Sequence, residues 1–490
     1  MPNHSTAQTI LFELYRAWFH KTPDSIIPIA ESGSARKYFR IASREQTVIG
    51  TFNTNVEENK SYLHLTQHFL KKGLPVPVVF TSNENQTAYL QADLGNVSLF
   101  DLVDRSWLTG SFHPSLLDFY REAIRYLIDF QIRGSKDLDF SCCYPEAEFG
   151  VSAIKDDMNY FRYYFLKLHN INVNESGLNE QFDKLASIVD QYEKKHFMYR
   201  DFQARNIMVH DNKLHFIDFQ GGRKGPLAYD LVSLLFQVRA RIPSNYRDLL
   251  LNYYLDRLSE FVPVNREEFA VQYSYFVYLR LMQVLGAYGF RGLIQKKSHF
   301  IESIPYALLE LKNWLESNPL PSEFGLLHKT LESTASLVTQ YTKPAPDRSG
   351  KLHIRIFSFS YKKTGIPMDD SGNGGGYVFD CRALPNPGRD LQYRTLTGRD
   401  RQVIDFLDNE IAVKSFLKST FEILDMTVEN YTKRSFSDLM ISFGCTGGQH
   451  RSVYCAEQSA SYLQLKYPDS TISLKHMELD NMLLTNPQAE

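Results

Sequence analysis

The sequence predicts an α+β bilobal domain followed by a smaller α/β domain with a strand–phosphate loop–helix unit. Three observations predict it. The chain has 490 residues, more than one ordinary core organises and enough for two or three domains. Up to about residue 317, short β-like runs give way to a long helical stretch, whereas from residue 351 onward strands alternate with helices. Between the two, "SNPLPSEFG" and "YTKPAPDRSG" carry prolines, among them Pro344 and Pro346, that suit a linker. The expected domains are 1–318 and 351–490, with a linker at 319–350 that has room for one helix, "GLLHKTLESTASLVTQY".

Each element has a local reason. Residues from about 10 to 95 mix the β-like runs "QTVIGTFN", "VPVVFTS" and "TAYLQADL" with a helix, "NKSYLHLTQHFLKKG". In that helix Tyr62, Leu63, Leu65, Phe69 and Leu70 approximate one apolar stripe. Residues 98–317 read as mostly helical, interrupted near 197–219 by two short strand-like pieces. A small β-rich lobe before a larger helical lobe is the layout of a kinase-like enzyme. After residue 351 come "LHIRIFSFSY", "GGGYVFDCRAL" and "DLMISFGC" as strands, with "NEIAVKSFLKSTFEILDMTVENY" and "RSVYCAEQSASYLQLKY" as helices and "TISLKHMEL" last. "SGNGGG" at 371–376 is the one low-complexity run and reads as a flexible turn.

Bulk properties narrow the classes. Hydrophobic content of 43% and charged content of 22% are those of a globular protein. A formal charge of −2 gives no global attraction to nucleic acid or anionic membrane. The 34 Phe and 29 Tyr serve first as buried area, although sugar clefts also use aromatic faces. The five cysteines, Cys142, Cys143, Cys381, Cys445 and Cys455, form no repeating pattern, which argues against a disulfide framework or structural zinc. The N-terminal stretch lacks the basic and apolar regions of a signal peptide, and no uncharged apolar run is long enough to span a bilayer. A cytoplasmic address without membrane partners is expected.

Phosphoryl transfer from a nucleotide needs a carboxylate to orient the acceptor hydroxyl, oxygen ligands for Mg²⁺ and something over the phosphates. "YRDFQARNIMVHDNKLHFIDFQ" supplies the first two. Asp201 can accept the hydroxyl proton, Asn206 can reach a metal, and Asp218, after a short hairpin, can bind the same metal. Against this stands an ordinary polar loop beside a hairpin.

On these residues the segment resembles the aminoglycoside phosphotransferase-like kinases. "RDFQARNIMV", "IDFQGGRKGPLAYDLVSLL" and "LRLMQVLGAYGFRGL" are more specifically similar to the anomeric amino-sugar kinases of cell-wall recycling. That resemblance, over roughly residues 8–319, implies transfer from ATP to the C1 hydroxyl of N-acetylmuramate or N-acetylglucosamine. It implies Asp201 as catalytic base, Asn206 and Asp218 as Mg²⁺ ligands, and Arg200 and Asp230 as supports of the catalytic loop. The nucleotide lobe carries a matching turn, "SGSARKYFRI", in which the amides of Gly33, Ser34 and Ala35 could cradle phosphates with Arg36 nearby. A plain hairpin turn would look the same. "AYLQADLG" matches the hinge that contacts adenine. Two departures are visible. "TVIGTFN" has Thr51 or Phe52 where typical kinases place a phosphate-pairing lysine, and Tyr199 replaces the usual His before Arg-Asp.

The C-terminal part is conspicuous at "GCTGGQHRSV". Glycines between a strand and a helix permit a tight turn whose amides point at an anion beside the helix N-terminus. Here Cys445, Thr446, Gly447, Gly448, Gln449, His450, Arg451 and Ser452 form the candidate anion site, with Arg451 able to close on a phosphate. C-x₅-R-S is also the pattern of thiolate phosphatases, and such surroundings favour a thiolate at Cys445. "VFDCRALPNP", "RTLTGRDRQVIDFL" and "GCTGGQHRSV" together resemble the C-terminal domain of RapZ, an adaptor family whose members bind glucosamine-6-phosphate and small RNAs. The resemblance implies a binding module, with Cys445 lining the pocket. The P-loop half of that family is absent, since no G-x-x-x-x-G-K-[ST] occurs.

RNA as a partner is implied by the resemblance alone. Residues 351–490 hold 16 Lys and Arg against 17 Asp and Glu, a net of −1, where RNA binding needs phosphate neutralisation. Arg389, Arg394, Arg399 and Arg401 could form a local patch or a solvated face, and His476-Met477-Glu478-Leu479 lacks the arginine of the family's His-Arg-Glu-Leu. The expectation is an ATP- and Mg²⁺-dependent sugar kinase joined to a phosphosugar-binding regulatory domain. The alternatives are a regulatory adaptor with a degenerate, nucleotide-binding kinase half, and a kinase for an aminoglycoside. The apolar 279–293 region with Arg280 and Arg291 suits a neutral or acidic sugar better than a polycation.

Overall fold

The structure, a computed structural model, describes residues 4–29, 36–341, 351–369, 371, 375–434 and 436–480. It divides into two compact units, Met1–Thr342 and Lys343–Glu490. The first is the expected two-lobed α+β domain and the second an α/β domain.

The first unit opens with helix α1 (His4–Phe19), then strands β1 (Ser25–Pro28), β2 (Lys37–Ala42) and β3 (Thr47–Phe52), helix α2 (Val56–Lys71), and strands β4 (Val79–Ser82) and β5 (Ala88–Ala92). The five strands form an antiparallel sheet in the order β1-β2-β3-β5-β4. Helix α1, which the sequence reading did not expect, buries Leu11 and Tyr15 against Phe39, Ile41, Val48 and Leu90 of the sheet. Helix α2 starts where Asn55 accepts from the backbone N–H of Glu58, and sends Tyr62, Leu65 and Phe69 into the main core.

The helical lobe is built around the long helix Arg266–Tyr288. Helix Val151–Phe161 approaches it so closely at Gly286 that a Cβ there would lie 2.6 Å from the Phe161 backbone nitrogen. That contact explains a glycine in an otherwise apolar helical run. Between these helices the chain makes β6 (His196–Met198), β7 (Ile207–His210), β8 (Lys213–Phe216) and β9 (Arg223–Gly225), with β6 paired to β9 and β7 to β8. Helix Leu227–Leu235 follows, buried along its whole length.

The helix expected inside a linker at 319–350 belongs instead to the first unit's core. Phe324, Leu327 and Leu331, on helix Gly325–Ser336 and just before it, are fully buried. An apolar stripe of that spacing requires cover, and the helices Ile304–Ser317 and Glu175–Asp190 provide it. Residues 342–350, with Pro344 and Pro346, lie outside the described residues.

The second unit is a parallel four-stranded sheet in the order β11-β12-β10-β13, from β10 (His353–Ser360), β11 (Tyr377–Asp380), β12 (Asp438–Cys445) and β13 (Thr471–His476). All eight residues of β12 are buried, as a central strand covered on both faces requires. Helix Arg451–Lys466 packs on the sheet through Val453, Ala456 and Leu463. Among the described residues no helix is long and apolar enough to cross a membrane.

Candidate functional site

The loop after β6 is held from behind. Tyr199 is buried among Phe130, Phe202 and Phe219, and its hydroxyl donates to the Ile217 carbonyl at 2.7 Å. It thus ties the start of the loop to the residue before Asp218. Asp230, on helix Leu227–Leu235, accepts from the backbone N–H of Tyr199 at 2.7 Å and of Arg200 at 2.9 Å. These two bonds hold Arg200 at φ +77°, a left-handed conformation that a side chain adopts only under such constraint. Burial pushes the Asp230 carboxyl up to about 7, against the two amides and Arg200, which favour its charge. The Arg200 guanidinium lies 5.1 Å from the ring centres of both Phe149 and Tyr229 and donates to Asp157 Oδ1 at 2.8 Å.

With its scaffold fixed, the loop presents polar atoms to a cavity of about 1040 Å³ that Asp201, Asn206 and Asp218 all line. Gln203 Nε2 donates to Asp201 Oδ1 at 3.2 Å. Asn206 Nδ2 donates to the Asp201 carbonyl at 2.9 Å and lies 3.4 Å from Asp218 Oδ2. Two acceptors on one side fix the amide orientation, so the Asn206 carbonyl oxygen is turned outward as a hard ligand. Asp218, at φ +68°, accepts from Gln220 Nε2 at 2.9 Å on Oδ1. Among the described residues no cluster of three or more His, Cys, Asp or Glu side chains could hold a metal. Asn206 and Asp218 could offer oxygens to a hard divalent cation, which would keep waters and substrate phosphates in its shell.

Of the expected phosphate turn, Gly33, Ser34 and Ala35 lie outside the described residues. Arg36 is buried and lines the cavity. Its Nη2 donates to Glu58 Oε1 at 2.5 Å, its Nη1 donates to the Tyr38 hydroxyl at 3.1 Å, and Nη1 lies 3.5 Å from Asp218 Oδ1. Burial lowers the guanidinium, but Tyr38, Glu58 and Asp218 together hold it above its ordinary value. Along the hinge, Arg40 grips Asp93 with two bonds of 2.6 and 2.9 Å, and Gly95 N–H donates to the same carboxylate. Ile49, Met208 and Ile217 supply apolar walls to this end of the cavity.

The other end is cationic. Asp157 Oδ1, already bonded to Arg200, also accepts from Gln283 Nε2 at 3.1 Å, and Gln283 Oε1 accepts from Arg280 Nη1 at 2.7 Å. Arg280 is 6% exposed, and neither it nor Arg205 or Arg291, which also line the cavity, has a carboxylate partner among the described residues. Sequence reasoning found Arg280 and Arg291 but missed Asp157, Gln283 and Glu58. These three meet the catalytic loop and Arg36 only through the tertiary fold, with no local pattern to mark them.

In the second unit the glycine loop connects β12 to helix Arg451–Lys466 as expected. Gly448 N–H donates to Cys445 Sγ at 3.2 Å, and Ser452 Oγ lies 3.1 Å from the same sulfur. Gly448 has φ +70°, and a Cβ there would press on Ser360 and Glu478. Arg451, expected to close on a phosphate, has backbone partners in this structure. It is 5% exposed, and its Nη1 donates to the carbonyls of Arg382 at 2.8 Å and Leu384 at 3.0 Å. Gln449 Nε2 donates to the Arg394 and Leu396 carbonyls, and His450 Nε2 donates to the Tyr393 carbonyl. These three side chains hold neighbouring segments, leaving Thr446 and Gly447 as the solvent-facing part of the turn. In the suggested basic patch, Arg399 pairs with Glu457 and Arg401 with Asp405.

Comparison with known proteins finds a match for each part of the chain. Residues 25–268 match the phosphotransferase enzyme family and residues 352–480 match the RapZ C-terminal domain. A nucleotide-binding protein of Mannheimia succiniciproducens is 37% identical over 146 residues, 30% of this chain and 47% of that protein. The RNase adapter protein RapZ of Yersinia enterocolitica is 35% identical over 180 residues, 36% of this chain and 60% of that protein. The chain spans about half the length of the curated relatives it matches. Among solved structures, a thermostable mutant of aminoglycoside phosphotransferase APH(4)-Ia in its apo form matches with a TM-score of 0.43 and 14% identity, covering 63% of this chain and 100% of that one. Amicoumacin kinase hAmiN, in complex with AMP-PNP, Ca²⁺ and Ami, matches with a TM-score of 0.44 and 10% identity, covering 69% of this chain and 96% of that one. The chain therefore joins a region similar to the phosphotransferase enzyme family to a region similar to the RapZ C-terminal domain.

Proposed function

We propose that the chain is an ATP-dependent small-molecule kinase acting on an amino sugar, at the anomeric hydroxyl of N-acetylmuramate or N-acetylglucosamine, and that its C-terminal domain binds a phosphosugar and regulates the transfer. The observation that carries the kinase reading is the convergence of Asp201, Asn206 and Asp218 on one cavity, which Arg36 also lines beside Asp218. Asp201 orients the acceptor hydroxyl and accepts its proton. Asn206 and Asp218 hold Mg²⁺, which when bound neutralises charge on the phosphate oxygens. Arg205, Arg280 and Arg291 give the acceptor end a positive field that disfavours a polycationic aminoglycoside and suits an acidic or neutral sugar.

The test is ATP-dependent phosphorylation of N-acetylmuramate, N-acetylglucosamine, glucosamine and an aminoglycoside, with products mapped by NMR and Asp201→Ala as control. A 1-phosphate on an N-acetyl sugar that disappears in the control is the expected result. ATP binding without turnover on any acceptor would overturn it in favour of the regulatory adaptor, for which the lack of a lysine at Thr51 is the specific observation. For the regulatory half, saturating glucosamine-6-phosphate should change KM or kcat, and no change in either would refute control by that ligand.

A further inference from the structure

A kinase-like lobe with no lysine on β3 leaves the nucleotide phosphates without their usual cation. Thr51 or Phe52 stands at that position, and Thr51 is fully buried and paired in register with Tyr38 on β2. Two residues before Tyr38 the chain carries Arg36, also buried, whose guanidinium meets Glu58 of α2, the Tyr38 hydroxyl and Asp218. It therefore lies between the helix that flanks the sheet and a proposed metal ligand.

Glu58 is built to hold it. It occupies the first turn of α2, where its backbone N–H is capped by Asn55 Oδ1 at 3.2 Å. Its Oε2 accepts from Asn53 Nδ2 at 2.8 Å, and Asn53 Oδ1 in turn accepts from Asn55 N–H at 3.0 Å. One carboxylate oxygen is thus fixed by the β3–α2 connection and the other is given to Arg36. We propose that Arg36 takes the place of the missing strand lysine, gripping nucleotide phosphate oxygens from the neighbouring strand, and that Glu58 is its positioning residue. This rests on the phosphotransferase reading and names a device within it.

The choice of arginine follows from geometry. A side chain rooted just before β2 starts about one strand away from the usual origin, and the guanidinium is longer than an ammonium. Its fork can keep one nitrogen on Glu58 while offering another to a phosphate, which a point-like ammonium on a flexible stem does less well. Two carboxylates around one cation, Glu58 and Asp218, also keep it charged in a buried place. A purely structural pin between α2 and the Asp218 loop is the competing account, and it makes no distinction between ligands with and without phosphates.

The experiment measures binding of ADP with Mg²⁺, and separately of adenosine, to the full chain and to Arg36→Met, Arg36→Lys, Glu58→Gln and Arg36→Met/Thr51→Lys. Arg36→Met should lose ADP affinity by about 10- to 100-fold, the worth of a charge-assisted hydrogen bond, with adenosine affinity unchanged. Glu58→Gln should lose less in the same direction, and Thr51→Lys should restore part of the loss. In turnover the change should fall on KM for ATP rather than on KM for the sugar. ADP and adenosine weakened equally, or neither weakened in Arg36→Met, would overturn the proposal while leaving the kinase reading intact. Wild-type protein that binds no ADP would overturn the kinase reading, and this inference with it.

Discussion

Two loops in this molecule leave a strand and carry a dense set of polar residues, yet they use them oppositely. In residues 199–206, Tyr199, Arg200 and the distant Asp230 brace the turn, so Asp201 and Asn206 keep atoms facing the cavity. In residues 444–452, the side chains that make the sequence conspicuous are themselves the braces: Gln449, His450 and Arg451 hold the carbonyls of Tyr393, Arg394, Leu396, Arg382 and Leu384. Residue type and spacing look equally suggestive in both. Whether a polar group is available for chemistry depends on what else in the fold needs it.

The sharpest way to break the contrast is to change one conspicuous charged side chain in each loop, the presented Asp201 and the bracing Arg451. Asp201→Asn should lower kcat by about 10²- to 10⁴-fold, the range for a lost general base, with nucleotide binding retained. Arg451→Lys should leave kcat within about twofold, since its contacts are to backbone carbonyls. Steady-state rates on whichever sugar is turned over decide both.

The parts of this comparison that were legible in the sequence are the short-range ones. Asp201, Asn206 and Asp218 are related through one loop and one hairpin, so their spacing constrains their geometry directly. The strand–loop–helix around Cys445 was legible for the same reason. The brace at Asp230 came from the resemblance, and its two bonds to Tyr199 and Arg200 appear only in the fold. The Arg36–Glu58 pair, the Asp157–Arg200 bridge and the burial of helix Gly325–Ser336 were not legible, because each joins residues on elements that meet only after tertiary packing. The turn from Arg451 toward carbonyls is of this kind too. Sequence shows that a cation follows the glycines, but not which acceptors lie behind the helix.

The bracing groups should differ in what they couple to. Asp230→Asn replaces one acceptor oxygen with a donor facing a backbone N–H, and should cost about 1–3 kcal/mol and lower kcat as the loop relaxes. The folded Asp230 carboxyl, raised to about 7 by burial, keeps a proton that the unfolded chain loses above about pH 4. Its stabilising contribution is therefore complete below pH 4 and is lost as pH rises to about 7. Subtracting the pH–stability profile of Asp230→Asn from that of the wild type should isolate this fall, and a flat difference would show that the carboxyl titrates in the folded protein as it does in the unfolded chain. Arg451→Met should cost about 1–3 kcal/mol by orphaning the buried Leu384 carbonyl and the part-buried Arg382 carbonyl, with hydrogen exchange accelerated around residues 382–384 and the first unit unaffected.

The smallest effect is expected at the residue the sequence made most suspicious. Cys445 sits at the end of β12, 3% exposed, its sulfur receiving the Gly448 N–H and lying against Ser452 Oγ. A thiolate phosphatase needs a phosphate held over its sulfur by the loop amides and by the arginine that ends the motif. Here one of those amides, Gly448, is bonded to the sulfur itself, and the arginine holds carbonyls behind the helix. Serine preserves a similar volume and can accept from Gly448 N–H, so Cys445→Ser should change stability by less than about 1 kcal/mol. Phosphate release from phosphosugars should be equally absent from the wild type and the variant. Release that is present in the wild type and abolished by the substitution would mean that Arg451 swings out of its carbonyl contacts when a phosphate arrives, and the two loops would then be alike after all.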